Sequence, residues 1–340
     1  MERSNNFDII RIYAAFQVVV VHLVHHLGVK IPESMQGAYD LFKAFPGVPI
    51  FFIISGYLVT LSCQRNTLSG YFVNRAKRIF PLLWASSIAL LLLLVFWGGA
   101  STKPLLSWFI GQVTIFQYYT PSELRPWGVG TPNGSLWTIP IEIQFYIVLP
   151  LLLYFVRKLG NWLLLVGIAL SGIIYHVSNT HIAEGVLSKV INCSVLVYFP
   201  LFCLGVIAAL HREKTRAFFS DRVWVFIPLY LVWWYAAPLF GYTGYFDAGN
   251  PAVYIGAPLL ACAVFSAALS HRKVSSILRG NDVSYGLYVL HGPIINLMVE
   301  SELTGGFMPF FAALLATFLL AILSWKYIEK PALSFRKPAI

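Results

Sequence analysis

The sequence predicts an all-α, polytopic membrane protein with about ten spans and both termini cytoplasmic, and three observations predict it. Hydrophobic residues make up 58% of the 340-residue chain and charged residues 11%, with a mean hydropathy of +0.72, a balance foreign to soluble domains of this size. Apolar runs long enough to cross roughly 30 Å of hydrocarbon recur from end to end. The basic residues, finally, segregate to one side of that pattern.

Hydropathy places the spans at about 7–27, 44–63, 81–98, 136–156, 162–178, 190–210, 223–240, 251–269, 284–300 and 307–326. The first run carries Asp8 and Arg11 and lacks a small-residue cleavage site, so it is expected to stay as a signal anchor. The segment 104–119 is shorter and more polar, which suits a re-entrant or interfacial piece. An even number of spans puts both termini on one side. With that side cytoplasmic, only Lys30, Lys43, Lys103, Arg125 and Lys189 of the 24 Lys and Arg face the other way. The net charge of +10 therefore reports topology and lipid contact, and implies no nucleic-acid partner. The apolar runs cover the whole length, which reads as a single transmembrane domain, 1–340. Cys63, Cys193, Cys203 and Cys262 fall in or beside spans without paired spacing, so no metal or disulfide framework is expected.

Ionisable residues inside the spans carry the functional signal. Arg11 and His22 lie eleven residues apart in the first run. Eleven steps of 100° return to within about 20° of the starting direction, and the axial offset is about 16 Å. A guanidinium inside hydrocarbon costs roughly 2.5–3.5 kcal/mol on insertion scales, so such groups ordinarily face a protein interior or a pathway. Counting from helix ends sets His22 and Glu142 of the fourth span at matched depths, about 8 and 9 Å below the outer surface. An imidazole that takes a proton from a hydroxyl, with a carboxylate orienting it, would use such a pair. The alternative is that the two merely cap each other or bind head groups. His25 could border the same face, whereas His26 is expected to be solvated. His291, about 10 Å into the ninth span from the cytoplasmic end, is expected nearer the depth of Arg11 than of His22, either hydrogen-bonded within the fold or touching substrate.

Several phrases in order resemble the membrane-bound acyltransferase-3 family, which acylates cell-envelope sugars. Arg11 and His22 match its arginine–ten residues–histidine pattern. FFIISGYLV (51–59), RAKRIFPLLW (75–84), SLWTIPIEIQFY (135–146), SYGLYVLH (284–291) and YIEKP (327–331) are similar to its further segments. Asn74 and Ile143 depart from the pattern, where a basic and an acidic residue are common. The resemblance implies transfer of an acyl group, usually acetyl from acetyl-CoA, to a hydroxyl of a glycan or lipid-linked sugar. It implies residence in the inner (plasma) membrane and no permanently bound cofactor. Many relatives continue into an extracytoplasmic esterase-like domain; this sequence ends soon after its last span, and a stand-alone form is expected.

In that reading Arg75 and Arg78, helped by Lys77, hold the coenzyme A phosphates where a basic loop enters the third span. Arg11 meets phosphate or upper pantetheine, because a guanidinium binds such groups bidentately. His22 acts as general base with Glu142 as its orienter. Acceptor contacts are expected from His25, Trp137, Tyr146 and Arg125, while Trp108, Tyr118, Tyr119, Trp127 and Trp137 belong either to the aromatic belts of the membrane surfaces or to sugar-stacking platforms. Glu123 and Asn133 of the Pro121–Gly134 stretch complete the acceptor mouth. Ser55 is a candidate acyl relay, although Ser55-Gly56 equally suits close helix packing. The competing class is a proton-coupled sugar or metabolite transporter using Arg11, His22 and Glu142 as a relay; the internal repeat common in transporters is not visible here.

Overall fold

The computed structural model describes residues 6–97, 102–182, 185–242, 252–270, 274–278 and 280–334. Residues 98 and 251, at the ends of two spans, and the expected cytoplasmic residues Arg3, Arg272, Lys273, Arg279, Arg336 and Lys337 lie outside them, as does His271. Every described regular element is helical: α1 (Phe7–His26), α2 (Glu33–Lys43), α3 (Gly47–Arg65), α4 (Leu68–Trp97), α5 (Thr102–Val113), α6 (Thr138–Leu159), α7 (Trp162–His181) and α8 (Val186–Asn192). There follow α9 (Val195–Leu210), α10 (Arg212–Phe219), α11 (Val223–Ala236), α12 (Val253–Ala268), α13 (Ser284–Glu300), α14 (Phe307–Ser324) and α15 (Lys330–Ser334), with a π-helical turn at Trp325–Glu329. Hydrocarbon cannot solvate backbone groups, and helices satisfy them internally. Each of the ten apolar runs overlaps helix, and among the described residues seven helical stretches are long and apolar enough to cross a membrane.

The chain divides into two compact units. One comprises Met1–Ala14, Ala44–Leu68 and Ile141–Gly280; the other comprises Ala15–Lys43, Ser69–Pro140 and Asn281–Ile340. The division falls inside α1 and α6.

In the first unit α9 is the central helix, packed by α3, α7 and α12. Small residues allow the α3–α9 approach: a Cβ on Gly56 would stand 2.2 Å from the Phe202 carbonyl oxygen, and one on Gly205 would stand 2.2 Å from that of Ile53. This is how apolar helices associate where lipid is as apolar as leucine. Gln144 of α6 bridges the break before α9, donating from Nε2 to the Cys193 carbonyl (3.2 Å) and accepting from Val195 N–H (2.9 Å). Phe145 stacks on Phe202 with ring centroids 4.1 Å apart.

In the second unit α13 packs along α14, with Gly286 facing Ala321 and Ser324. Leu90 and Leu94 of α4 form a core with Leu105 and Trp108 of α5 and with Leu124 and Trp127. Three expectations are corrected here. Helix α4 begins at Leu68, thirteen residues before Pro81, so the basic stretch Asn74–Arg78 is helical and not a loop. Proline removes one backbone bond, and a membrane helix tolerates that where side chains and neighbours re-satisfy the freed groups. Trp108 and Trp127 are buried in the core and so do not present stacking faces. Helix α2, amphipathic and without buried residues, was not expected at all.

Replacing Gly56 by Leu should drive a side chain into the α9 backbone and cost about 1–3 kcal/mol. A thermal-stability series in detergent would register this as a lowered Tm, whereas the same change at Gly37, which has open space around it, should leave Tm unchanged.

Candidate active site

The site is built on α13 and the segment before α6. Asn296 of α13 donates from Nδ2 to the carbonyls of Thr131 (3.1 Å), Pro132 (3.1 Å) and Gly292 (3.0 Å), and its Oδ1 accepts from Val129 N–H (2.8 Å). Glu300 accepts from Gly128 N–H. That glycine has φ +62° and a Cβ there would fall 1.8 Å from Asn296 Oδ1, so only glycine fits the turn. Nearer the middle of α13, Asn133 donates to the Val289 carbonyl (3.0 Å) and accepts from Ser135 Oγ (2.6 Å), while Thr138 Oγ1 bonds the Tyr288 hydroxyl (2.8 Å). Asn133 is buried and committed to these bonds, which corrects its expected role as a hydroxyl partner in the mouth. Glu123 and Arg125 are exposed.

Within this frame His291 is fully buried and its Nδ1 lies 3.2 Å from the Leu287 carbonyl. Its Nε2 lies 2.9 Å from Nδ1 of half-buried His22. This overturns the depth reading, which set His291 near Arg11. Counting residues from a helix end measures depth only if helices start level and run parallel, and α1 and α13 differ in length. His26, expected to be solvated, stands edge-on to His22 with centroids 5.8 Å apart, as residues one turn apart do. His25 is exposed and touches His26.

Glu142 belongs to the other unit, where its Oε1 accepts from Ser55 Oγ at 2.7 Å. Both are half-buried. The helix-packing role foreseen for Ser55-Gly56 thus falls to the glycine, and the serine hydroxyl is engaged with a carboxylate. Arg11 is half-buried on α1, which is unbroken from Phe7 through His22. Trp137 is half-buried at the end of a 3₁₀ turn, Gly134–Trp137, against α13; Tyr146 is buried in α6.

The basic cluster is split in its behaviour. Arg75 and Lys77 are half-buried on α4. Arg78 pairs with Asp282 (2.8 Å) and Glu329 (3.6 Å), both buried, and lies over the Tyr285 ring at 5.6 Å. Asp282 also accepts from the Ser284 backbone N–H at the start of α13, Tyr285 donates to the Ile79 carbonyl (2.9 Å), and Glu329 accepts from Ser324 Oγ (3.0 Å). Arg78 therefore ties α4, α13 and the π-helical turn together. Sequence reasoning missed these acids because they lie far along the chain, Asp282 by 204 positions. Their own signal was present: acids beside spans ordinarily have a basic partner. Among the described residues no group of three or more His, Cys, Asp or Glu is arranged to hold a metal ion.

The described chain is thus a polytopic helical protein that joins a half-buried and a buried histidine through their ring nitrogens. The acyltransferase-domain family matches residues 4–326, and the chain belongs to that family. It is similar to Nodulation protein 10 of Rhizobium leguminosarum bv. viciae, 30% identical over 98% of this chain and 94% of that protein. It is 25% identical to the O-acetyl transferase of Shigella phage Sf6, over 100% and 99% of the two chains. The Listeria monocytogenes peptidoglycan O-acetyltransferase OatA is 25% identical over 84% of this chain, which spans about half of that protein's length (51%). No solved structure matches. The chain is an acyltransferase, O-acetyl transfer being the activity that the phage and Listeria relatives carry in their names.

Removing one partner from a buried ion cluster leaves the others uncompensated, at about 3–5 kcal/mol. Arg78→Ala should therefore fall to low yield with a sharply reduced Tm, and Arg78→Ala with Asp282→Asn should recover part of that loss in the same unfolding assay.

Proposed function

We propose that this protein transfers an acetyl group from cytoplasmic acetyl-CoA to a hydroxyl of a cell-envelope glycan or lipid-linked sugar, from a site within the plasma membrane, with His22 as general base. The observation that carries the proposal is His22 itself: an imidazole inside a span, half-buried, and held through Nδ1 by a second buried imidazole. Positioned imidazoles of this kind contribute on the order of 10²–10⁴-fold by proton transfer. His22 Nε2 takes the acceptor hydroxyl proton as the oxygen attacks the thioester carbonyl. The carbon–sulfur bond then breaks, and the imidazolium returns the proton to the leaving thiolate.

Arg75 and Arg78, helped by Lys77, are assigned to the nucleotide phosphates, with Arg78 also held by its ion pairs to Asp282 and Glu329, and Arg11 is assigned to the phosphate or upper pantetheine. The offset of about 16 Å along α1 suits an extended pantetheine arm. Glu142 is the second catalytic candidate, with Ser55 donating to it, and His25, Arg125, Trp137 and Tyr146 are assigned to the acceptor side. The chain works as one transmembrane domain of ten crossings with cytoplasmic termini; the one-sided distribution of its basic residues supports that orientation.

Purified protein given labelled acetyl-CoA and crude envelope glycan should move label to glycan. His22→Ala should lower the rate of the folded protein at least about 100-fold, with folding checked separately by its Tm, which the loss of the His291 partner should lower. Glu142→Gln, which preserves an acceptor for Ser55, should also reduce turnover. Label transfer that survives His22→Ala would contradict the proposal, and pH-driven sugar flux without label transfer would point to transport.

A further inference from the structure

We infer that His291 is a positioning residue that fixes the tautomer of His22 and so leaves His22 Nε2 as the bare nitrogen facing the acceptor; this rests on the reading of His22 as the base. Hydrogen-bond chemistry assigns the protons. The Leu287 carbonyl only accepts, so His291 Nδ1, 3.2 Å away, carries a proton. A neutral imidazole carries one such proton, which leaves His291 Nε2 as an acceptor. Its neighbour at 2.9 Å, His22 Nδ1, must then be the donor. His22, with its single proton spent on Nδ1, presents Nε2 with a free lone pair.

The arrangement performs with an imidazole what a carboxylate does in a serine-protease triad, where the wrong tautomer lowers kcat about 10⁴-fold although the geometry is intact. The helix supplies the anchor, since Leu287 is the residue one turn before His291 on the same element. The stitching of Asn133 to Val289 and of Thr138 to Tyr288 holds that turn of α13 in place. A Cβ at Gly292 would strike Asn133 Oδ1 at 2.4 Å, so the backbone beside His291 is closed on that side as well. His26 stands edge-on to the His22 ring one turn further along α1.

Two substitutions separate positioning from mere packing. In His291→Gln the amide oxygen stands near the place of Nε2 and still accepts from His22 Nδ1–H; His291→Leu fills the volume and accepts nothing. His291→Leu should lower kcat about 100-fold with little change in acceptor KM, and His291→Gln should stay within about tenfold of wild type, in the range known for residues that orient a ligand histidine. Nitrogen-15 NMR of histidine-labelled wild type in lipid should show His22 protonated on Nδ1 and bare on Nε2. The signal is assigned by its loss in His22→Ala, and it needs neither variant to fold. Equal losses in the Gln and Leu variants, or an Nε2-protonated His22, would overturn the inference. Full activity of His22→Ala would instead remove the base itself, a distinct result.

Discussion

A polar atom buried among membrane-spanning helices is costly to leave unpaired, because hydrocarbon supplies no partner. That constraint makes the His22–His291 contact informative. Two imidazoles 2.9 Å apart inside apolar helices are tolerable only when donors and acceptors alternate correctly. The alternation here begins at a backbone carbonyl whose chemistry admits no choice. The order of protons along the chain of contacts follows from that end.

The same constraint explains the frame around the pair. Asn296, Asn133, Thr138 and Glu300 each use a buried or half-buried polar group to hold the 128–138 segment against α13. These contacts tie the irregular segment to one helix at several points along its length. Further along the unit, Arg78 with Asp282, Glu329 and Tyr285 gathers α4, α13 and the π-helical turn in the same way. A catalytic imidazole needs its surroundings fixed to within about 0.5 Å, and rigid polar stitching on both sides of it meets that need.

The apolar helices were legible in the sequence because lipid imposes a length and a composition that residues such as Leu, Ile and Phe announce directly. Where water rather than lipid sets the terms, the reading failed. The first turns of α4 from Leu68 to Phe80 are too basic for a hydropathy window, and α2 is too polar. Which faces meet was not legible either. His291 is 269 positions from His22, and its depth depends on how α13 is offset, which residue counting does not measure. The acidic partners of Arg78 were not legible because Asp282 and Glu329 are remote in sequence, and Trp108 looked like a sugar platform because its core partners come from α4 and the Leu124–Trp127 turn. His22, Glu142 and Ser55, in contrast, stood out as polar residues within apolar runs, and all three engage polar partners in the structure.

The most direct measurement is an experimental structure in lipid with a thioether analogue of acetyl-CoA and a saccharide acceptor bound together. The account predicts the reacting hydroxyl oxygen within about 3.2 Å of His22 Nε2, with the analogue's carbonyl carbon beside it. A hydroxyl resting against any other group while His22 Nε2 makes no contact with it would contradict the account.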